Sequence, residues 1–440
     1  MPQTRRDFLK TSLGTSALMS LGAGVPSWLG RPALAAQPQV GASPGHSGET
    51  ILVAVQLAGG NDGLNTIVPY DDDVYARNRP TLRLPADKVH KIGSSLGLHP
   101  QMPAFKRLYE EGHLSILQGV GCPSPSGDHA VAMQDWQTAR PHQPHCQTGW
   151  LGRAVDNAYD AYDPGEVNVP AVFVGQIPRP LTLNAENVVV PSLRSLKQYT
   201  LHTMPGTAGG QAHGRRLTEL AQLPRDQRFA SVPGEKSPTL DFLRRSSLEA
   251  HAASQRVEAA VQAQDSAGAA AYPPFQLAHN LRIVAQLIRA ELGIRIYYTE
   301  LGGNEPGGFD THANQRDNHG ALLRQLSESV AAFVDDLKRD RLLDRVLLMT
   351  FSEFGRTVKE NGRRGTDHGS AAPLFLAGGR VKGGLVGEHP NLTDLENGGQ
   401  KFHTDFRRVY ATALQRWLGF DSASDLGREF QPLDVLNAER

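Results

Sequence analysis

The sequence predicts an α/β protein with a central, mostly parallel β-sheet sandwiched between helices. Short apolar runs alternate with segments whose apolar residues recur at helical spacing, which is typical of βαβ units. The runs are nearly continuous, as expected of strands that are buried on both faces. Polar clusters lie next to several runs, and open α/β sheets bind ligands at the carboxyl ends of their strands. A chain of 440 residues is long enough for one large domain of this class.

The amino terminus carries an export signal. Residues 4–10 read Thr-Arg-Arg-Asp-Phe-Leu-Lys, which matches the twin-arginine pattern, and Ala33-Leu34-Ala35 has the A-x-A form of a cleavage site. We therefore predict a signal peptide over 1–35, a flexible tether over 36–48 and a single domain over 49–440. Gly, Ser and Pro dilute the apolar run of the leader, so no stable membrane span is expected in the mature form. The expected location is the periplasm or the extracellular space, reached through the twin-arginine translocase.

The overall charge gives no indication of a polyanionic partner. Lys and Arg number 45, Asp and Glu number 45, and the formal net charge is zero, so no nucleic-acid partner is predicted. The two cysteines, Cys122 and Cys146, can pair in an oxidising compartment, but two cysteines do not make a disulfide scaffold. Their bonding is left open.

The elements follow from the apolar pattern. The predicted strands cover residues 51–57, 114–118, 171–174, 294–299, 345–351 and 373–377. The predicted helices cover 102–112, 277–292 with Gly293 as a cap, 322–337 and 406–418. The segment near 200–275 lacks strand-like runs and is predicted to be a helical insertion within the domain.

Carboxylates and imidazoles cluster where predicted strands begin or end. The clusters are Asn61-Asp62, Asp310-Thr311-His312, Ser352 to Thr357, Thr366 to Gly369 and, as a fifth candidate, His403-Thr404-Asp405. Imidazole and carboxylate together suit zinc, manganese or iron, whereas carboxylate alone favours magnesium or calcium. The clusters predict a shared site for a divalent metal of one of these kinds.

Each cluster alone also has a structural interpretation. Asp62 among glycines can be a turn former, and Asp310 and Thr311 can cap a helix. Glu353 and Arg356 can form an ion pair at a strand end. The recurrence of such clusters next to predicted strands is what favours a common site.

Taken in order, seven segments of this chain resemble the domain-of-unknown-function 1501 family, over about residues 50–420. The segments are Gly59 to Thr66, Asp128-His129 with Trp136, Thr148 to Arg153, Gly308 to His312, Ser352 to Thr357, Gly365 to Gly369, and Thr404 to Arg407. That family is grouped with the alkaline phosphatase-like superfamily, which includes sulfatases and phosphodiesterases. The resemblance implies an alkaline phosphatase-like fold and hydrolysis of phosphate or sulfate esters, with a small-molecule ester or other anionic ligand as the partner.

The resemblance also implies two metal sites. Asp62 and Asp367-His368 look like the ligands of one metal, while Asp310 and His312 look like ligands of the other, together with a late histidine that corresponds to His403. The implied metal ligands are thus Asp62, Asp310, His312, Asp367, His368 and His403.

The catalytic group is where this chain departs from the family. Related sequences have Ser-His where this chain has Asp128-His129, so Ser126 or Thr66 can be the nucleophile, or His129 can act as an acid or base. The candidate catalytic residues are His129, Asp128, Glu353 and Arg356. The missing serine also leaves open a non-catalytic exported protein that retains the fold for binding or cell-surface assembly.

Overall fold

The computed structural model describes residues 50–161, 171–186, 190, 192–196, 271–291, 293–302, 308–389 and 391–438. The predicted signal peptide, the tether and most of the predicted insertion lie outside the described residues. None of the helices in these ranges combines the length and hydrophobicity needed to cross a bilayer.

The strands and helices are numbered in chain order. The strands are β1 (Ile51–Leu57), β2 (Ile67–Val68), β3 (His90–Lys91), β4 (Gly97–Leu98), β5 (Leu114–Gly121), β6 (Ala171–Val174), β7 (Ser192–Leu193), β8 (Ile296–Leu301), β9 (Val346–Phe351), β10 (Arg356–Glu360), β11 (Thr366–His368), β12 (Ala372–Gly378), β13 (Gly384–Val386), β14 (Leu395–Glu396), β15 (Gly399–Gln400) and β16 (Thr404–Asp405). The helices are α1 (Gly63–Thr66), α2 (Asp73–Asn78), α3 (Pro103–Glu110), α4 (His129–Thr138), α5 (Trp150–Ala161), α6 (Gln276–Arg289), α7 (Gln315–Arg339), α8 (Phe406–Ala411) and α9 (Ser422–Leu426), with a π-helical turn over Thr412–Leu418.

The main sheet confirms the predicted mostly parallel arrangement. Among the described residues its strand order is β13-β5-β12-β9-β1-β8-β6-β7, with β16 beside β5. Strands β9, β1, β8, β6 and β7 run parallel, and β12 is antiparallel to both of its neighbours. Two smaller sheets, β11-β10-β15-β14 and β2-β4-β3, lie outside it.

The core has two layers, one on each face of this sheet. Along β1, Val53 and Val55 belong to the apolar cluster that contains α3, α6 and α7, while Leu52 and Ala54 belong to the cluster that contains α4, α5, α8 and α9. Side chains alternate across a strand, so one continuous apolar run supplies both layers. The predicted sandwich of helices around the sheet is therefore confirmed.

Three predicted elements differ from the structure in their bounds or in their type. The strand predicted over 294–299 forms over Ile296–Leu301, because Ile296 is the residue that pairs with Leu52 near the start of β1. Helix α7 begins at Gln315, well before the predicted 322, and Gln315 and His319 in its first turns are buried in polar contacts. Residues Thr412–Leu418, predicted to be α-helical, form a π-helical turn.

Both cysteines are free thiols in the structure. Cys122 is buried and Cys146 is partly exposed. Burial raises the pKa of the Cys122 thiol to about 12. Cys122 therefore behaves as a small apolar core residue.

Glu300, near the end of β8, is expected to make stability fall as pH rises. Its side chain is 8% exposed, Oε2 has no hydrogen-bond partner among the described residues, and burial raises its pKa to about 7 from 4.5. Between pH 4.5 and about pH 7 the Glu300 carboxyl ionises in the unfolded chain but stays protonated in the folded chain. The stability that this group contributes below pH 4.5 is therefore lost as the pH rises. Each pH unit in this interval lowers the free energy of unfolding by up to about 1.4 kcal/mol, which gives a total loss on the order of 3 kcal/mol.

The measurement is urea unfolding of wild type and Glu300→Gln between about pH 5 and about pH 8. The variant is expected to gain stability relative to wild type across this range. A difference that does not change with pH would show that Glu300 is ionised in the folded protein.

Candidate metal centre

The carboxyl ends of three adjacent parallel strands meet at the candidate site. The backbone N–H of Gly59, after β1, donates to Glu353 Oε1 after β9 at 2.9 Å. Phe309 N, in the loop that follows β8, donates to the carbonyl of Ala58 at 3.0 Å. Gly59 has φ +113°, and a Cβ there would lie 2.5 Å from Asp310 N, so only glycine permits this approach. The loop packing brings Asp310 against the end of β1.

Two further elements add histidines. His129 is the first residue of α4, and its Nδ1 reaches Glu353 Oε1 at 2.9 Å. His368 ends β11, where it is paired with Arg356 of β10. The ring of Phe354 packs against both histidines, with ring centroids 4.9 Å from His129 and 4.7 Å from His368. These contacts hold both rings beside Asp310.

Three imidazoles surround one carboxylate oxygen. Asp310 Oδ1 lies 3.4 Å from His129 Nε2, 3.0 Å from His312 Nε2 and 3.3 Å from His368 Nε2. The Nε2 atoms of His312 and His368 are 2.8 Å apart. The candidate ligand atoms of His129, Asp310 and His368 all lie within 4.8 Å of one another. The structure thus brings together Asp310, His312 and His368, which the sequence grouped as possible ligands, and adds His129.

The other nitrogen of each ring faces an acceptor. His129 Nδ1 lies 2.9 Å from Glu353 Oε1, His312 Nδ1 lies 3.1 Å from Asp367 Oδ1, and His368 Nδ1 lies 2.6 Å from the carbonyl oxygen of Gly127. Ionised carboxylates and carbonyls only accept hydrogen bonds, so each Nδ1 carries the hydrogen. In the neutral rings the lone pairs therefore sit on Nε2 and point toward Asp310. The acceptor on Nδ1 both orients the ring and raises its basicity as a ligand.

This arrangement fits a divalent cation. Three neutral imidazoles direct their lone pairs, and Asp310 its carboxylate, toward one position, which is the donor set of a divalent cation. Ligand atoms about 2.0–2.1 Å from a tetrahedral zinc are separated by roughly 3.3 Å, close to the distances around Asp310 Oδ1. His129 Nε2 is buried and has no hydrogen-bond partner within the described part of the chain, so its lone pair is available to a cation.

Arg356 fixes the charge of Asp310. Its fully buried guanidinium donates to Asp310 Oδ1 at 2.7 Å, to the carbonyl of Gly60 at 2.9 Å and to that of Thr366 at 3.1 Å. Burial raises the pKa of Asp310, but Arg356 and His312 outweigh it and bring that pKa to about 2. Asp310 is therefore an anion at neutral pH, as a metal ligand must be.

Asp62 lies apart from this group, in a buried ion pair. Arg79 NH1 donates to Asp62 Oδ2 at 2.6 Å and Arg79 NH2 donates to Oδ1 at 3.0 Å, with Gln315 also donating to Oδ2. The Arg79 and Asp62 side chains are 0% and 1% exposed. Burial raises the pKa of Asp62, but Arg79 outweighs it and lowers that pKa to about 2.

The remaining predicted site residues occupy supporting or distant positions. Asp367 contacts Nδ1 of His312, on the side of the ring away from Asp310. Glu353 likewise contacts Nδ1 of His129. His403 is exposed, and its two nitrogens lie near Thr404 Oγ1 and the carbonyl of Glu388. The described structure therefore does not bring His403 into the histidine group.

The candidate catalytic groups Asp128, Thr66 and Ser126 differ in accessibility. Asp128 is exposed and caps α4, since its Oδ1 accepts from Val131 N at 3.0 Å. Thr66 is fully buried, and its hydroxyl donates to Asn61 Oδ1. Ser126 is partly exposed, and its Oγ accepts from Asp128 N at 3.1 Å. Of the two alternative nucleophiles, Ser126 alone has an accessible side chain.

Sequence patterns missed Arg79, Gln315 and His319. Gln315 donates to Asp62 and accepts from Thr366 Oγ1, and His319 Nε2 lies 2.9 Å from Asn61 Oδ1. All three side chains are buried, although their residue types are usually exposed. The one available signal was the polar composition of residues 315–319 directly before an apolar helical pattern.

Several solved structures have a similar fold but are distant in sequence. They include an alkaline phosphatase from the Antarctic bacterium TAB5, with 10% identity and a TM-score of 0.33 over 75% of this chain and 91% of that chain. The PsFucS1 sulfatase from Pseudoalteromonas sp. has 12% identity and a TM-score of 0.35 over 88% of this chain and 71% of that chain. The C-terminal periplasmic domain of EcEptC from Escherichia coli, in complex with Zn, has 10% identity and a TM-score of 0.33 over 77% of this chain and 75% of that chain. No curated protein matches the chain significantly.

One family model matches residues 116–424. The match includes His129, Asp310, His312 and His368 and begins after the Asp62 segment. Because it covers well over half of the 440 residues, the chain belongs to the family described as protein of unknown function DUF1501.

Proposed function

We propose that this protein is an exported, metal-dependent hydrolase of phosphate or sulfate esters. The observation that carries the proposal is the orientation of three imidazoles around Asp310. Each Nδ1 faces an acceptor, and each Nε2 is aimed at the same carboxylate oxygen. A set of hydrogen-bonded histidines built only for stability would not need all three Nε2 atoms on one side.

His129, His312, His368 and Asp310 would hold the cation. Three imidazoles and one carboxylate favour zinc or manganese over magnesium or calcium, which prefer oxygen ligands. When bound, the cation would polarise a phosphoryl or sulfuryl oxygen and stabilise negative charge in the transition state.

The protein's own residues would prepare this centre and orient the ester. Glu353 and Asp367 fix the ring orientation of His129 and His312. The segment before α4 supplies Ser126, and the amino terminus of α4 lies beside the site through His129. The anionic phosphate or sulfate group of a small ester would be attracted to the bound cation. We assign Ser126 as the candidate nucleophile on the basis of its exposure and position.

Export is the second part of the proposal. The twin-arginine pattern at 4–10 and the A-x-A sequence at 33–35 support transport to the periplasm or beyond. This route carries folded proteins, so the centre can acquire its metal before transport. The twin-arginine translocase is the proposed transient partner.

A non-catalytic binding role is a second candidate, and Asp128 is the observation that favours it. Where related sequences have serine, this chain has an aspartate whose carboxylate caps α4. An N-cap needs no catalytic role to explain it. A protein of this kind would bind the metal and an anionic ligand without turning it over.

The test uses the full chain, exported by its own leader and then purified. We expect zinc or manganese at near-stoichiometric level, and hydrolysis of aryl phosphate or aryl sulfate esters that a chelator abolishes and the metal restores. Bound metal without turnover of either ester would favour the binding role. Protein that holds no metal and takes up none would refute the metal centre.

A further inference from the structure

We infer that the centre holds one divalent cation per chain, and that two buried arginines, Arg79 and Arg356, occupy the positions that a second cation would need. The inference rests on the proposed metal centre and defines its nuclearity. It departs from the two metal sites that the sequence resemblance implies. It depends on which donors the structure leaves free around the end of β1.

The carboxylate of Asp62 is fully engaged by a guanidinium. Arg79 binds both of its oxygens, at 2.6 and 3.0 Å, in the two-pronged geometry that makes such pairs strong. Gln315 donates a further hydrogen bond to Oδ2. A cation at Asp62 would have to displace Arg79 first.

Arg79 cannot move aside at low cost. Its Nε donates to the carbonyl of Val358 at 2.8 Å, and NH2 donates to that of Thr357 at 2.8 Å. The guanidinium is fully buried, so breaking these contacts would leave an unpaired buried charge, which is strongly destabilising. The ion pair is therefore a permanent part of the fold.

The charge around Asp62 also disfavours a second cation. Arg79 neutralises Asp62, and the side chains that hydrogen-bond to this pair, Asn65 and Gln315, carry no charge. Burial lowers the pKa of the nearby His319 to about 4, so this ring is neutral as well. Asp62 is thus neutralised through both of its oxygens, whereas Arg356 contacts Asp310 through Oδ1 alone.

Arg356 fills the space between the β1 loop and Asp310. Its NH2 group donates to the carbonyls of Gly59 and Phe309, in addition to Asp310, and its Nε donates to Gly60. Carbonyl and carboxylate oxygens that face one gap are a donor set for a hard cation. Here one guanidinium satisfies them. Because Arg356 contacts Asp310 through Oδ1 alone, this carboxylate and the three Nε2 atoms around it remain as a set for one ion.

The experiment is a count of bound metal on the full-length exported protein. Elemental analysis, and calorimetric titration of the metal-free protein with Zn²⁺ and separately with Mn²⁺, are expected to give one site per chain. Two sites would overturn this inference and leave the proposed function intact. No binding of either ion would refute the proposed function itself.

The double variant Asp62→Asn/Arg79→Gln adds a readout that does not depend on activity. It removes both charges and keeps hydrogen-bonding groups, so it avoids an unpaired buried arginine. We expect one bound cation with an affinity within about threefold of wild type, a change smaller than the 10–100-fold that follows loss of an outer-shell partner. A fall to less than one site in a variant that still unfolds cooperatively would make Asp62 a ligand and overturn the inference.

Discussion

His368→Ala is expected to lower the affinity of the protein for zinc by more than about 100-fold. His368 Nε2 lies 3.3 Å from Asp310 Oδ1 and 2.8 Å from His312 Nε2, so its loss removes one of four converging ligands. Changes to outer-shell partners of metal ligands typically cost 10–100-fold, and a direct ligand is expected to cost more. Competition with a chromogenic chelator measures the affinity of each purified variant.

Two variants make this prediction specific. His403→Ala removes an exposed histidine that the sequence also suggested as a ligand, and it is expected to leave the affinity unchanged. Glu353→Gln weakens the acceptor that His129 Nδ1 faces, and it is expected to lower the zinc affinity by about 10–100-fold. This loss is smaller than that of His368→Ala and larger than that of His403→Ala. Equal losses in His368→Ala and His403→Ala would contradict the assignment of the centre.

The comparison of His368 with His403 shows how far the sequence alone reaches. Both stand next to aspartate or threonine near a predicted strand, so their local patterns are alike. Their difference arises from pairing, because β11 places His368 opposite Arg356, whereas His403 precedes β16 beside β5. Apolar periodicity predicted the sheet and its two helical layers, but strand order is a property of long-range contacts.

The ion-pair partner of Asp62 is a second feature that the sequence alone does not reveal. The sequence placed Asp62 correctly at the end of the first strand, where the superfamily resemblance implies a metal ligand. Its partner Arg79 follows the short helix α2, and nothing in the local composition distinguishes that arginine from a surface residue. A carboxylate at a strand end can bind a metal or a guanidinium, and only its three-dimensional neighbours decide which of the two it binds.

The segment Thr148 to Arg153 belongs to the family resemblance but lies in the core. Trp150 is fully buried and stacks on Tyr410, with ring centroids 4.1 Å apart and planes at 12°. A Cβ at Gly149 would lie 2.0 Å from Thr182 O, and one at Gly152 would lie 1.9 Å from Asn184 O. These glycines let α5 pack directly on backbone. The segment therefore serves the fold rather than the metal centre.

Trp150→Ala is accordingly expected to lower the free energy of unfolding by about 3–5 kcal/mol, as buried aromatic-to-alanine changes do. That is a large part of the roughly 5–15 kcal/mol that stabilises typical domains. Urea unfolding of metal-free protein measures the loss. Zinc affinity of the folded fraction is expected to remain at the wild-type value, since Trp150 contacts none of the histidines in the centre.

Trp150→Phe provides the matched control for this prediction. The indole Nε1 has no hydrogen-bond partner among the described residues, so phenylalanine loses packing volume without losing a hydrogen bond. We expect a cost of about 1–2 kcal/mol, below that of alanine, because a smaller cavity remains. If alanine and phenylalanine cost the same, stacking on Tyr410 would contribute nothing. If either variant lost zinc affinity while folded, the segment would have to be reassigned to the site.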